Sequence, residues 1–123
     1  MEYSTPAHVR ELVKSYCKEV KGGTASFTIS ERIGWNDPPP PAANAGGCYA
    51  IYTSDDALIY VGMSEKNVAD RIARHRKTAA AKVPFWEVQP PITYQLILNL
   101  DPWDAAGLEI YLTRKSNRQN LLR

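Results

Sequence analysis

The sequence predicts a small mixed α/β (α+β) domain, with elements in the order helix, strand, strand, helix, strand, helix. Two observations predict this class. Helical and strand-like hydrophobic periodicities alternate along the chain, and capping or turn residues separate the segments. A length of 123 residues allows one modest hydrophobic core. Hydrophobic residues at 44% and charged residues at 23% are typical of a folded globular protein.

The first helix is predicted over residues 6–21. Apolar side chains recur there at steps of three and four residues and form one stripe: Val9, Leu12, Val13, Tyr16, Cys17 and Val20. Thr5 is a suitable N-cap, Pro6 fits the first helical position, and Gly22 suits the left-handed position after the last turn. We expect this helix to pack on the sheet and to carry no chemistry.

A proline-rich connector follows the first helix. Its four consecutive prolines, at 38–41, exclude a helix and favour an extended segment. Residues 24–30 before it could be a short strand or an extended lead. We expect Trp35 to anchor the connector, so that residues 1–45 pack on a domain formed by residues 46–123.

Three strands are predicted from β-branched and aromatic residues. Residues 48–54 (CYAIYTS) and 57–63 (ALIYVGM) flank a polar turn and are expected to form a hairpin. Residues 92–100 (ITYQLILNL) follow two prolines and form the third predicted strand.

Capping residues mark the other two helices. Asn67 can cap a helix that begins at Val68 and runs to the alanine run at Ala79. Asp101 can cap the last helix, and Pro102 fits its first position.

Composition excludes several classes of protein. No stretch approaches the about 18 apolar residues of a membrane helix, and residues 1–20 lack the apolar core of a signal peptide. Cys17 and Cys48 match neither a disulfide framework nor a zinc-site spacing. We therefore expect a cytoplasmic protein that does not enter a membrane.

The charge distribution is compatible with a phosphate-bearing partner. The net charge is only +2, but residues 71–77 (RIARHRK) carry four basic side chains and no acidic one. Residues 113–123 also carry four basic side chains and no acidic one. On charge alone, the simpler interpretation is that both segments solvate helix faces.

Two glycine–tyrosine elements lie on the predicted hairpin. Gly47-Cys48-Tyr49 is followed, after ten residues, by Tyr60-Val61-Gly62. Because side chains alternate across a strand, two tyrosines on the same face of adjacent strands can come within reach of each other. We expect the glycines to leave the surface open to a nucleic-acid backbone. The alternative is that each tyrosine is ordinary half-buried packing.

These two elements resemble the paired signature of GIY-YIG nucleases. Three further features match in order: Arg71 on the second helix, Glu109 on the last helix, and an asparagine near the C-terminus. Asn120 is the better-spaced asparagine and Asn117 the second candidate. The resemblance covers about residues 46–121.

The resemblance implies a three-stranded antiparallel sheet flanked by helices, and an endonuclease site that hydrolyses DNA with one divalent metal. It implies that Tyr49 is the general base and that Tyr60 helps to position the attacking water. Glu109 is a hard oxygen ligand that suits Mg²⁺ (or Mn²⁺). Arg71 presents a planar charged fork that matches phosphate oxygens. Asn120 would fix the geometry of the site by hydrogen bonding.

A tyrosine base raises a chemical difficulty. A free phenol ionises near a pKa of about 10, so it is a poor base at neutral pH. A nearby arginine and a metal would both lower that pKa. Alternatively, Tyr49 passes its proton onward in a relay. His75, one turn after Arg71, could face the same cleft or could be a surface histidine.

We assign nucleic-acid contacts to the second helix and the second glycine element: Gly62, Arg71, Arg74, His75 and Lys77. The expected partner is DNA. The source of selectivity is left open between a protein partner or appended subunit, recognition of DNA structure, dimerisation, and weak nonspecific nicking. The main alternative is a catalytically inactive nucleic-acid-binding module of the same fold. A third possibility is that the basic side chains serve a protein partner and the nuclease site is vestigial.

Overall fold

The computed structural model describes residues 3–20, 22, 27–53, 55–80 and 91–117. Its elements in chain order are α1 (Pro6–Glu19), β1 (Thr28–Ile29), β2 (Ile33–Gly34), a 3₁₀ turn (Pro41–Ala43), β3 (Gly47–Tyr52), β4 (Leu58–Ser64), α2 (Val68–Ala80), β5 (Thr93–Leu98) and α3 (Pro102–Lys115). None of the helices in these ranges is long and apolar enough to cross a membrane.

The described strands form one antiparallel sheet of five strands, which corrects the expected three. β3 lies between β4 and β5, and both β1 and β2 pair with the other side of β5. The two additional strands have only two residues each. So short a strand has no hydrophobic period to read, and its place is set by pairing with β5 rather than by its own sequence.

The predicted helix starts are confirmed by their caps. The side chains of Thr5, Asn67 and Asp101 each accept a hydrogen bond from the backbone N–H three residues further on, at 3.2, 3.1 and 2.8 Å. These bonds satisfy N–H groups that have no partner within the helix. At the other end of α1, Gly22 takes the expected left-handed conformation, with φ of 65°.

The sheet carries an apolar layer on each face. One face packs against α1 and α3, in a cluster that includes Val13, Cys48, Ala50, Val61, Leu108 and Leu112. The opposite face packs against α2, in a cluster that includes Tyr49, Ile51, Val68, Ile72, Tyr94 and Leu96. Successive residues of β3 therefore serve opposite layers, as the alternation of a strand requires.

The hairpin register sets the orientation of Tyr60 and includes a β-bulge just before it. Ile51 pairs with Tyr60, whereas Tyr52 pairs with Leu58, so Ile59 is an extra residue in β4. Ile59 and Tyr60 both pack on the α2 side of the sheet. Paired residues share a face of the sheet, and Tyr49 lies two residues from Ile51, so Tyr60 is on the face that carries Tyr49, in agreement with the expectation that the two tyrosines share a face.

Candidate active site

Tyr49 is fully buried at the centre of the layer beneath α2. Its hydroxyl oxygen lies 2.7 Å from Nε2 of His75. The His75 ring lies 5.5 Å from the Tyr49 ring and 5.0 Å from the Tyr60 ring, and the tyrosine rings are 6.1 Å apart. The two tyrosines and the histidine of the predicted site therefore form one aromatic group, the Tyr49–Tyr60–His75 cluster.

Gly62 lies directly opposite Tyr49 on the neighbouring strand. A Cβ atom on Gly62 would stand 2.4 Å from both Cζ and Oη of Tyr49. The expectation that Gly62 leaves the surface open to nucleic acid is wrong, because the Tyr49 ring fills that space. Gly47 is similarly constrained, since its Cβ would stand 2.5 Å from the carbonyl oxygen of Ile97. Both glycines shape the sheet, and Gly62 lets the Tyr49 ring reach His75.

Replacing Gly62 with alanine should therefore both destabilise the fold and disturb the Tyr49–His75 hydrogen bond. We expect a loss of about 1–3 kcal/mol in the free energy of unfolding, typical of overpacking a core. Urea denaturation measures this loss, and the NMR signals of the His75 ring report the disturbance.

Gly107→Ala is the matched control for that substitution. Its Cβ would stand 2.5 Å from the Tyr16 hydroxyl, on the opposite side of the sheet. It should cost stability without changing the His75 signals. A Gly62→Ala protein as stable as wild type, with unchanged His75 signals, would contradict the packing described above.

Burial keeps both partners of the Tyr49–His75 hydrogen bond uncharged. Burial raises the pKa of Tyr49 above its ordinary value, the charge of Tyr60 adds to this, and Arg71 acts in the opposite direction without reversing the shift. Burial, and then the charge of Arg71, lower the pKa of His75 to about 4. At neutral pH a phenol therefore faces a neutral imidazole, which has one nitrogen able to accept a hydrogen bond. A nearby arginine alone does not make Tyr49 a phenolate.

The low pKa of His75 makes stability depend on pH. Between pH 6.5 and 4 the unfolded chain binds a proton at this site that the folded protein does not, so stability falls as the pH falls. From pH 7 to pH 5 we expect a loss of about 1–2 kcal/mol from His75. Urea denaturation at both values should show the loss in wild type and a smaller one in His75→Gln. Equal losses in the two proteins would contradict the burial of a neutral imidazole.

A second group of side chains lines an open cavity of about 510 Å³ beside the end of β4. The cavity lies between the first half of α2 and the middle of α3. Its lining residues are Met63, Ser64, Glu65, Lys66, Asn67, Asp70, Arg71, Arg74 and Glu109. Three of the predicted site residues, Arg71, Arg74 and Glu109, therefore share one cavity.

Glu109 reaches this cavity around the edge of the sheet. Its helix, α3, packs on the face opposite the Tyr49 ring. Because β4 forms one edge of the described sheet, side chains from the two faces can meet beyond it. Arg71 links the Tyr49–Tyr60–His75 cluster to the cavity. A hydrogen bond with Tyr49 is the first cause of the raised pKa of Arg71, and the charge of Glu109 also contributes. The aromatic cluster and the acidic side chain thus adjoin the same guanidinium.

The cavity suits a metal ion that keeps most of its water. The described residues contain no group of three or more histidine, cysteine, aspartate or glutamate side chains able to hold a metal. Mg²⁺ is commonly held by one or two carboxylates together with waters and substrate phosphates. The Glu109 carboxylate fits that mode, because it shares the cavity with Arg71, whose guanidinium is a side chain of the type that binds phosphate. Glu65 and Asp70 bring further carboxylates to the same cavity.

Lys77 and Asn117 belong neither to the cavity lining nor to the Tyr49–Tyr60–His75 cluster. Lys77 is exposed, and it is not among the residues that line the cavity. Asn117 lines a different cavity of about 250 Å³, together with Ser4 and His8. Its backbone N–H donates to Ser4 Oγ at 2.8 Å, which holds it beside the start of α1. Asn120, the preferred site asparagine, lies outside the described residues.

Sequence reasoning missed two basic residues that adjoin the site. Lys66 lines the cavity. Arg76 follows His75, and the charge pattern places it only in the basic segment 71–77. The signal for Arg76 is its position: residues 68, 72, 75 and 76 share one helical stripe, and this stripe faces the sheet.

The fold and the site together define a nuclease-type catalytic domain. The buried Tyr49 and the partly buried Tyr60 adjoin an arginine that shares a cavity with a glutamate, and these are groups that phosphodiester hydrolysis can use. The family model of the GIY-YIG catalytic domain matches residues 45–121, which is more than half of the chain. The protein belongs to this family, which consists of endonucleases. Neither the curated proteins nor the solved structures contain a match to the chain.

Proposed function

We propose that the protein is a metal-dependent endonuclease that hydrolyses DNA phosphodiester bonds. The observation that supports this most strongly is the 2.7 Å contact between the Tyr49 hydroxyl and His75 Nε2. It lies beside Arg71, which also lines the cavity that contains Glu109. A proton acceptor, a phosphate-binding cation and a metal-binding carboxylate are thereby brought to one place.

The proton of the attacking water passes through Tyr49 to His75. In the imidazole tautomer that carries its proton on Nδ1, Nε2 accepts the Tyr49 O–H. As the water oxygen forms its bond to phosphorus, its proton moves to Tyr49 Oη and the Tyr49 proton moves to Nε2. The bond from phosphorus to the 3′ oxygen breaks, and the departing oxygen takes a proton from solvent water to become the 3′-hydroxyl. The relay needs no phenolate in the resting enzyme, which removes the difficulty of the high pKa of Tyr49.

Arg71 binds the scissile phosphate and couples that binding to the relay. Its planar guanidinium can meet two phosphate oxygens and stabilise the charge that builds on them during attack. The charge of Arg71 also contributes to the low pKa of His75, after burial. A bound phosphate offsets that charge, so His75 becomes a better proton acceptor when substrate is in place.

Glu109 holds the metal ion, with Mg²⁺ or Mn²⁺ as the expected species. When bound, the ion supplies Lewis acidity at the phosphate and stabilises the departing 3′ oxygen. Tyr60 packs against the His75 ring, at 5.0 Å between ring centroids, and helps to orient the relay and the water.

Incubation of supercoiled plasmid with Mg²⁺ or Mn²⁺ tests this function. Wild type should nick the plasmid, and Arg71→Ala and Glu109→Ala should not. Lys14→Ala, which changes an exposed lysine of α1 outside the cavity lining, is the control. Nicking that persists unchanged in both site variants would overturn the assigned roles. Salt-sensitive DNA binding without nicking in either metal would instead indicate the inactive binding module.

A further inference from the structure

We propose that the N-terminal extension, which is the part of the chain before residue 45, positions His75 for proton transfer. It does so by clamping the neighbouring Arg76 between the connector and the sheet. The clamp consists of Arg76 on α2, Trp35 and Asp37 in the connector, and Tyr94 on β5. The functional consequence rests on the proposed nuclease activity. The structural part, that the clamp sets the place of the His75 ring, can be tested without any cleavage assay.

The Arg76 guanidinium lies against two aromatic rings and one carbonyl. Its central carbon is 5.9 Å from the centroid of Trp35 and 5.7 Å from that of Tyr94. The two rings meet nearly at right angles, with centroids 6.2 Å apart. Nη2 of Arg76 donates to the carbonyl oxygen of Asp37, and the Tyr94 hydroxyl donates to that same oxygen at 3.4 Å. Arginine suits this place because its flat, weakly hydrated cation stacks on aromatic faces.

The connector side of the clamp is itself fixed to the sheet. The backbone N–H of Trp35 donates to the carbonyl oxygen of Ile92 at 2.8 Å, and the backbone N–H of Asp37 donates to the carbonyl oxygen of Gly34 at 2.9 Å. Gly34 ends β2, which pairs with β5 at Thr93 and Tyr94. The connector at Trp35 and Asp37 therefore has a defined position on the sheet, to which Arg76 can fasten α2.

Arg76 can position His75 because the two residues are adjacent in α2 and both contact side chains of the sheet. Of residues 73–78, His75 and Arg76 are the two that are not exposed. The last fully buried residue before them is Ile72, one turn earlier. The buried Nε of Arg76 has no hydrogen-bond partner among the described residues, so the guanidinium is held by its other nitrogen and the ring faces. Loss of the clamp would remove an anchor of the turn that carries His75 and leave its place to the contacts with Tyr49 and Tyr60.

The clamp joins the family-matched part of the chain to the segment before it. Arg76 and Tyr94 lie within residues 45–121, whereas Trp35 and Asp37 precede them. The extension is thus part of the support of the active site. Arg76 acts through His75 and does not touch the reacting atoms, so it is a positioning residue.

NMR titration of His75 tests the structural part. The chain has two histidines, His8 and His75, so a His8→Gln background leaves one imidazole to follow. In that background the His75 titration should have its midpoint at a pH of about 4. Arg76→Lys or Trp35→Ala should move this midpoint by at least one pH unit toward 6.5, the ordinary pKa of histidine. The other ionisable groups around the ring, Tyr49, Tyr60 and Arg71, are retained in these variants.

Two further variants complete the titration. Arg74→Lys changes an exposed arginine of the same helix and should leave the midpoint in place. Trp35→Phe keeps an aromatic face for Arg76, so its midpoint should lie between those of wild type and Trp35→Ala. It also provides the measurement if the alanine variant does not fold. Folded clamp variants with an unchanged His75 midpoint would overturn the clamp.

Cleavage kinetics test the functional consequence. Arg76→Lys should lower the single-turnover rate by roughly tenfold or more with little change in the Kd for DNA, because a small misplacement of a catalytic group is costly. A loss of DNA affinity in Arg76→Lys as large as that in Arg74→Lys, without a slower cleavage step, would show that Arg76 contacts DNA and would overturn its positioning role. If wild type does not cleave, the proposed nuclease activity fails, while the His75 titration still decides whether the clamp exists.

Discussion

Replacing Arg71 with alanine should lower the rate of DNA cleavage by roughly 10³-fold or more, the range found when a phosphate-stabilising arginine is removed. The large effect is expected because Arg71 adjoins both the Tyr49 hydroxyl and the cavity that contains Glu109. The same residue would hold the phosphate and tune the relay. Its side chain is only half-buried, so the free energy of unfolding should change far less than the rate.

Two variants make this result specific. Arg71→Lys keeps the charge but not the planar fork, so it should recover only a small part of the rate. Arg74→Ala removes an exposed arginine that lines the same cavity. It should weaken DNA binding and reduce its salt dependence, with a smaller effect on single-turnover cleavage. Equal losses of rate in Arg71→Ala and Arg74→Ala would indicate that both arginines merely attract DNA.

The second large effect is expected from Tyr49→Phe. It removes the hydroxyl that passes the proton to His75 in the proposed relay, and general-base catalysis is typically worth roughly 10²–10⁴-fold. Single-turnover cleavage at saturating enzyme measures the loss. Tyr52→Phe is a close control, because it removes another buried tyrosine hydroxyl, which donates to Gln95 Oε1 at 3.0 Å on the opposite side of the sheet. Tyr52→Phe should cost stability and leave the cleavage rate nearly unchanged.

A double variant separates a relay from two independent contributions. If Tyr49 and His75 act in one proton path, Tyr49→Phe combined with His75→Gln should be little slower than the slower single variant. If each residue contributes on its own, the two losses should multiply. Multiplicative losses would contradict the relay while leaving a role for each side chain.

Local signals explain how much of the fold could be predicted. The helix starts at Thr5, Asn67 and Asp101 were predictable because a cap and its N–H partners lie within four residues of one another. The hairpin was predictable from its strand composition and polar turn. β1 lies within residues 24–30, for which a short strand is one of two predicted alternatives, but β2 is not predicted. Strands of two residues carry no pattern of their own and exist through pairing with β5.

The site was predictable in its residue types but not in its arrangement. Alternation along β3 and the resemblance placed Tyr49 and Tyr60 together. The contact of Tyr49 with His75 depends on how α2 lies on the sheet, which no local pattern specifies. The position of Gly62 under the Tyr49 ring is likewise a cross-strand contact, and in the sequence it looked like an open surface. Glu109 joins the site around the edge of β4, a route that only the assembled sheet defines.

The most direct measurement is single-turnover cleavage of supercoiled plasmid by wild type and Glu109→Gln, in Mg²⁺ and in EDTA, with DNA binding measured in parallel. We predict that wild type cleaves only with the metal and leaves 3′-hydroxyl and 5′-phosphate ends. Glu109→Gln should bind DNA at least as tightly, because it removes a negative charge beside Arg71, and should not cleave. Cleavage by Glu109→Gln at the wild-type rate, or wild-type cleavage undiminished in EDTA, would contradict a metal-dependent site built on Glu109.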